Sequence, residues 1–217
     1  MKSIGILGGM GHRATAHFYN LLLKYAPVVS SERELPPIFI SANTTIPSRS
    51  AAMSGGQSPI LCMEIELRWL SSVASILVCP CNSAHHFIRQ INMSQFDARF
   101  IDMVELSMSK IIKRSNPIFL GGVVPKQTKI YGDIHYLNHP KIDAIIGAVK
   151  HSNVDQSAYW SGLVQDIRRE YPGCTIVVGC SELSLVNNQA YWLDKSDMID
   201  TTEELAKETM KQALLGT

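Results

Sequence analysis

Leu77-Val78-Cys79-Pro80-Cys81-Asn82-Ser83 and Ile176-Val177-Val178-Gly179-Cys180-Ser181-Glu182 each carry an apolar run into a cysteine followed by small polar residues. Such runs read as strands buried on both faces, as in a parallel sheet. A thiol at the carboxyl end of such a strand lies where open α/β sheets bind ligands, and the polar residues behind it open a helix with free backbone N–H groups. Two such segments in one chain predict two thiols that face each other.

Working outward from them, short apolar runs alternate with helical patterns. Strands are expected at 3–7, 38–42 and 75–78, and helices at 12–25, 60–72 and 84–91. The second half restarts with Pro117-Ile118-Phe119-Leu120-Gly121-Gly122, an echo of Ile4-Gly5-Ile6-Leu7-Gly8-Gly9. Helices follow at 143–150 and 159–170, the latter stopping near Pro172-Gly173 before a strand at 175–178. A last helix at 201–215 is opened by Asp200 or Thr201, with Glu203 and Glu204 in its first turn. The pattern predicts an α/β fold of two pseudo-symmetric lobes, each a parallel sheet flanked by helices, with the active site in the cleft between them. The expected lobes are 1–97 plus 196–217, and 98–195.

With 217 residues, 46% hydrophobic and 18% charged, the composition is that of an ordinary globular protein. A net charge of +1 without a basic run argues against nucleic acid as a partner. No stretch reaches membrane-spanning length, so no membrane partner is expected either. The opening Met1-Lys2-Ser3-Ile4-Gly5-Ile6-Leu7-Gly8-Gly9 reads as a strand meeting a glycine turn rather than a signal peptide. Five cysteines, Cys62, Cys79, Cys81, Cys174 and Cys180, make an odd count that fits reduced thiols in a cytoplasmic protein.

The Gly8-Gly9-Met10-Gly11 turn lacks the dinucleotide fingerprint, because Arg13 or Ala14 stands where a further glycine is required and no carboxylate follows the second strand. It is either a structural turn or a small-anion site at a helix start. Cys81 and Cys180 are the candidate reactive thiols, each placed where a helix N-terminus lowers a thiol pKa. Cys79, Cys62 and Cys174 read as structural. A metal site from Cys79, Cys81, Cys180, His85 and His86 is disfavoured by the Cys-x-Cys spacing across Pro80, and no metal or cofactor is expected. His85 and His86 read as packing or hydrogen-bonding residues. Arg49, in the loop after the second strand, is either solvated or the planar fork for a carboxylate.

Taken together, Gly8-Gly9-Met10-Gly11-x-x-Ala14-Thr15, Asn43…Pro47-x-Arg49, Pro80-Cys81-Asn82-Ser83-Ala84-His85 and Gly179-Cys180-Ser181-Glu182 resemble the aspartate/glutamate racemase superfamily, most closely its aspartate racemase branch. Asp200-Thr201-Thr202-Glu203 resembles the closing segment of the same family. The resemblance implies two pseudo-symmetric lobes, a cofactor-independent amino-acid racemase acting on aspartate or glutamate, and a homodimer. By it, Cys81 and Cys180 form the acid–base pair and Arg49 holds a carboxylate. Asn82, Ser83 and Ser181 surround the α-carboxylate, Thr128 is a substrate-side threonine, and Lys150 meets a side-chain carboxylate. Met10 and Glu182 join the binding residues, Glu182 either sensing an ammonium group or capping its helix.

Departures from the family pattern bear on the substrate. His12 replaces the usual proline after Gly-Met-Gly, Ser83 and Ser181 replace threonines, and Val124-Pro125 stands where another threonine is common. Two alternatives stay open: a related cysteine-dependent isomerase or decarboxylase, and a non-catalytic amino-acid-binding protein on the same scaffold.

Overall fold

The structure is a computed structural model, and it describes residues 1–152 and 154–215. The chain runs β1 (Ile4–Leu7), α1 (His12–Lys24), β2 (Ile38–Ser41), α2 (Arg49–Met53), α3 (Ile60–Val73), β3 (Ile76–Val78), α4 (Asn82–Ile88), β4 (Arg99–Ile101) and α5 (Met103–Ile111). It continues through β5 (Pro117–Gly121), α6 (Val123–Thr128), β6 (His135–Tyr136), α7 (Pro140–His151), α8 (Ser157–Glu170), β7 (Thr175–Gly179), α9 (Ser181–Gln189), β8 (Met198–Asp200) and α10 (Thr201–Leu214). The eight strands form two four-stranded parallel sheets, ordered β2-β1-β3-β4 and β6-β5-β7-β8. The same order in each half is the structural form of the sequence echo.

Period-two alternation sorts the strand residues between two apolar layers per sheet. Ile118 and Leu120 of β5, with Ile176 and Val178 of β7, pack among α7, α8 and α9 around the fully buried Trp160. Phe119 and Val177 between them face the opposite layer. In the first sheet, Ile76 and Val78 face Phe18 of α1, while Leu77 faces Met63 and Leu67 of α3. Parallel sheets need cover on both faces, and the central residues of these strands are all apolar.

Sheet pairing departs from the expected lobe limits at two places. β4, expected in the second lobe, pairs with β3 through Ile76↔Arg99 and Val78↔Ile101. β8, expected with the first lobe, pairs with β7 through Ile176↔Met198 and Val178↔Asp200. Both strands have three residues, and partners distant in sequence decide their sheet.

The helices that follow these strands exchange halves. Leu205, Ala206, Met210 and Ala213 of α10 pack on Ile4, Ile6, Ile76 and Val78 of the first sheet, and the N–H of Lys2 donates to the carbonyl of Ala213 at 2.9 Å. Reciprocally, Val104 and Ile111 of α5 pack with Phe119, Val177 and Ile199 of the second sheet. Each exchanged helix is opened by an aspartate cap: Asp102 accepts from the N–H groups of Val104 and Glu105, and Asp200 from those of Thr202 and Glu203. Asp200, not Thr201, is therefore the cap of the last helix.

Candidate active site

β3 and β7 are the third members of their sheets, and each delivers a cysteine directly into a helix start. Cys81 is the N-cap of α4 and Cys180 the N-cap of α9. The two thiols line one cavity of about 210 Å³. Met10, Arg49, Asn82 and Ser83 line it from the first half, and Lys150, Ser181 and Glu182 from the second. A space this small lies below the range for drug-sized ligands, about 300–1,000 Å³, and suits a small metabolite.

The loop bearing Arg49 is pinned by a close approach of backbones. Gly9 has φ +81°, and a Cβ there would lie 2.3 Å from the carbonyl oxygen of Asn43, so only glycine lets the two loops meet. Asn43 is itself held by Glu66, its amide donating to Oε1 at 2.6 Å. The glycine turn satisfies itself: the N–H of Gly9 donates to Thr15 Oγ1 at 3.0 Å, and that hydroxyl donates to the carbonyl of Gly11. Arg49 is the first residue of α2 rather than a loop residue, with Ser48 as its cap. Its guanidinium donates to the carbonyls of Pro47 (2.9 Å), Met10 (3.2 Å) and Ile46 (3.4 Å), while its buried Nε has no partner. Neutral carbonyls fix the group without cancelling its charge.

Asn82 and Ser181, the residues directly after the cysteines, brace the two halves. Asn82 donates to Thr201 Oγ1 at 3.2 Å and accepts from the buried Tyr131 hydroxyl. Ser181 donates to the carbonyl of Pro80, in the opposite half. Both residues, expected on the substrate side, line the cavity and make these contacts between the halves as well. Thr128 is absent from the cavity wall: it ends α6, and its hydroxyl donates back to the carbonyl of Val124 at 2.9 Å. The wall also includes Asp143, Ile146, Gly122 and Val123, which sequence reasoning missed. Gly122 was visible in the echo of Gly8-Gly9. Asp143 was not, because an acid in a helix start is ordinarily a solvated charge.

Electrostatics distinguish the two thiols. Burial pushes both up from the ordinary thiol value, so the expected lowering by the helix N-termini is outweighed. For Cys81 the next largest influence is the Arg49 cation, which pulls it back down. For Cys180 it is the Glu182 carboxylate, which pushes it further up. Glu182 is buried, with Oε2 accepting from Cys180 Sγ at 3.0 Å and Oε1 lying 3.8 Å from Lys150 Nζ. His85 is fully buried and engaged at both nitrogens, Nδ1 with the carbonyl of Cys81 (3.0 Å) and Nε2 accepting from the N–H of Met103 (3.2 Å). Cys79 and Cys174 are buried in the core and Cys62 is half-buried. Among the described residues, no group of three or more His, Cys, Asp and Glu side chains is arranged to hold a metal ion.

No profile of a known protein family matches the sequence. Solved structures do. An aspartate racemase from Picrophilus torridus superposes with a TM-score of 0.81 at 21% identity, over 97% of this chain and 94% of its own. The chain has the aspartate/glutamate racemase fold. A glutamate racemase from Thermus thermophilus, in complex with β-chloro-D-alanine, matches at 0.65 and 14% identity over 98% of this chain and 80% of its own. An allantoin racemase from Klebsiella pneumoniae matches at 0.62 and 12% identity, over 100% and 89%. The same fold thus occurs in proteins described as aspartate, glutamate and allantoin racemases. Among the described residues no helix is long and apolar enough to cross a membrane.

Proposed function

We propose that this protein is a cofactor-independent amino-acid racemase acting on aspartate or glutamate, with Cys81 and Cys180 as a two-base pair. The observation that carries this reading is the placement of both thiols, from pseudo-equivalent strand ends, on one small cavity. Racemisation removes the Cα proton from one face and returns a proton to the other, which a single fixed base cannot do. In one direction the Cys81 thiolate takes the proton and the Cys180 thiol supplies one; in the other, the roles exchange. Arg49 and the first-turn N–H groups of α4 and α9 hold the α-carboxylate and stabilise the enolate charge as it develops. Lys150 meets the side-chain carboxylate, and Asp143 supplies negative charge for the ammonium group. Both thiols must stay reduced, a requirement that supports a cytoplasmic location.

The test is incubation with L-aspartate, L-glutamate and a panel of neutral amino acids in D₂O, following the Cα–H signal and the enantiomer ratio. Exchange with inversion on an acidic amino acid is expected. Binding without exchange would make the protein an amino-acid-binding module, and release of carbon dioxide would make it a decarboxylase.

A homodimer belongs to the same proposal. Leu61, Ile65, Trp69 and Val73 recur every fourth residue along α3, which packs against the edge strand β2, and are 67, 58, 49 and 37% exposed. An apolar row of this kind next to a strand edge favours cover by a second copy of the chain. Sedimentation equilibrium is expected to give twice the 24.0 kDa chain mass, and a monomer at tens of micromolar would overturn it.

A further inference from the structure

We infer that Glu182 sets the order in which the thiol pair ionises, holding the proton more firmly on Cys180 so that Cys81 is the first of the two to become a base. The inference deepens the racemase reading and rests on it for its consequence, though not for its test.

The geometry is specific. Glu182 is the second residue of α9, and its carboxylate turns back over the helix start to accept the Cys180 thiol proton at 3.0 Å. The carboxylate is buried, and Oε1 has no hydrogen-bond partner; Lys150 Nζ, at 3.8 Å, is the cation nearest it. Moving the Cys180 proton away would leave a thiolate against a buried carboxylate, which like-charge repulsion opposes. Cys81 has the opposite neighbour. Its thiol donates to the carbonyl oxygen of Met10 at 4.0 Å, the same carbonyl that receives the Arg49 guanidinium, whose charge favours loss of that proton. Charged groups facing the pair are Arg49 from α2, Lys150 and Asp143 from α7, and Glu182 from α9.

A two-base racemase needs one thiol and one thiolate at the same time. Two thiols provide no base and two thiolates no acid, so a symmetric pair would spend much of its time in an unproductive form. Glu182 breaks the symmetry. In the turnover that follows, Cys81 gains the Cα proton and Cys180 loses its own to the opposite face, with no net change in charge. Glu182 acts through Cys180 and is therefore a positioning residue.

The experiment titrates each thiol alone. In Cys81→Ala and Cys180→Ala backgrounds, the rate of alkylation of the remaining cavity thiol by uncharged iodoacetamide is measured against pH, with the modified peptide identified by mass spectrometry. Glu182→Gln is expected to lower the half-maximal pH of Cys180 by about one unit or more and to speed its alkylation at pH 7.5 at least threefold, reactivity rising less than thiolate fraction. Glu182→Asp, which retains the charge, is expected to leave Cys180 slow, and Cys81 is expected to move less than Cys180. An unmoved Cys180, or an equal shift at Cys81, would overturn the inference. None of these readouts requires turnover, so a protein without racemase activity but with this titration pattern would refute the enzyme and leave Glu182 its role. Should racemisation occur, the high-pH limb of kcat/KM is expected to move to lower pH in Glu182→Gln.

Discussion

Cys81→Ala and Cys180→Ala are each expected to lower racemisation of the preferred amino acid by about a thousandfold or more, within the range of about 10²–10⁴ for loss of a positioned acid or base. On the two-base reading each thiol serves one face of Cα, so losing either ends inversion in both directions. The remaining thiol still reaches its own face. Each variant is therefore expected to keep slow exchange of the α-hydrogen for deuterium without inversion, on one enantiomer and on opposite enantiomers for the two variants. Stability is expected to change little, because neither cysteine side chain caps its helix. Circular dichroism and a melting curve check this, chiral chromatography the inversion, and proton NMR in D₂O the exchange. Near-normal turnover by either variant would end the two-base scheme.

The contrast between symmetric frame and asymmetric charge runs through the whole site. Strand order, cysteine position, aspartate caps and exchanged last helices repeat in both halves. Asn82 and Ser181 occupy matching positions and both brace the opposite half. The charged residues do not repeat: the Arg49 cation pulls Cys81 down, while the Glu182 carboxylate, hydrogen-bonded to Cys180, pushes both thiols up. The repeated parts set where the sulfurs stand, and the unrepeated charges set which one carries the proton.

What the sequence made legible follows that division. Strands β1, β3, β5 and β7 were readable because their residues are continuously apolar, and the cysteines because they end two such runs. β4 and β8 were not, since three residues carry no period and Arg99 gives β4 a polar start. The cavity wall was half legible. Arg49, Ser83, Lys150 and Glu182 line it, whereas Thr128 turns back on its own helix. The bracing by Asn82 and Ser181 depends on Tyr131, Thr201 and Pro80, residues 49, 119 and 101 positions away, and no local pattern reports such partners. The thiol titration was misjudged for a related reason: a helix start is visible in sequence, while burial is a property of the assembled cavity.

Gly179→Ala is expected to destabilise the protein by about 3 kcal/mol, at the upper end of ordinary overpacking, and to lower the melting temperature by roughly 6–12 °C. A Cβ at this position would lie 1.9 Å from Cε2 and 2.1 Å from Cζ of Phe119. That ring has no room to retreat. It is fully buried, with the Tyr131 and Tyr136 rings 5.1 and 5.2 Å away. Tyr131 in turn donates to Asn82, so pressure on Phe119 reaches the brace behind Cys81 as well as Cys180, the next residue along the chain. Activity should therefore fall further than the loss of folded protein explains. If the clash is the cause, Gly179→Ala combined with Phe119→Leu should cost less than the sum of the two single changes, by about 1 kcal/mol or more in denaturant unfolding. A Gly179→Ala protein that melts within about 2 °C of the parent would show that the sheet yields there, and that the sulfur of Cys180 is not held by the packing of Phe119.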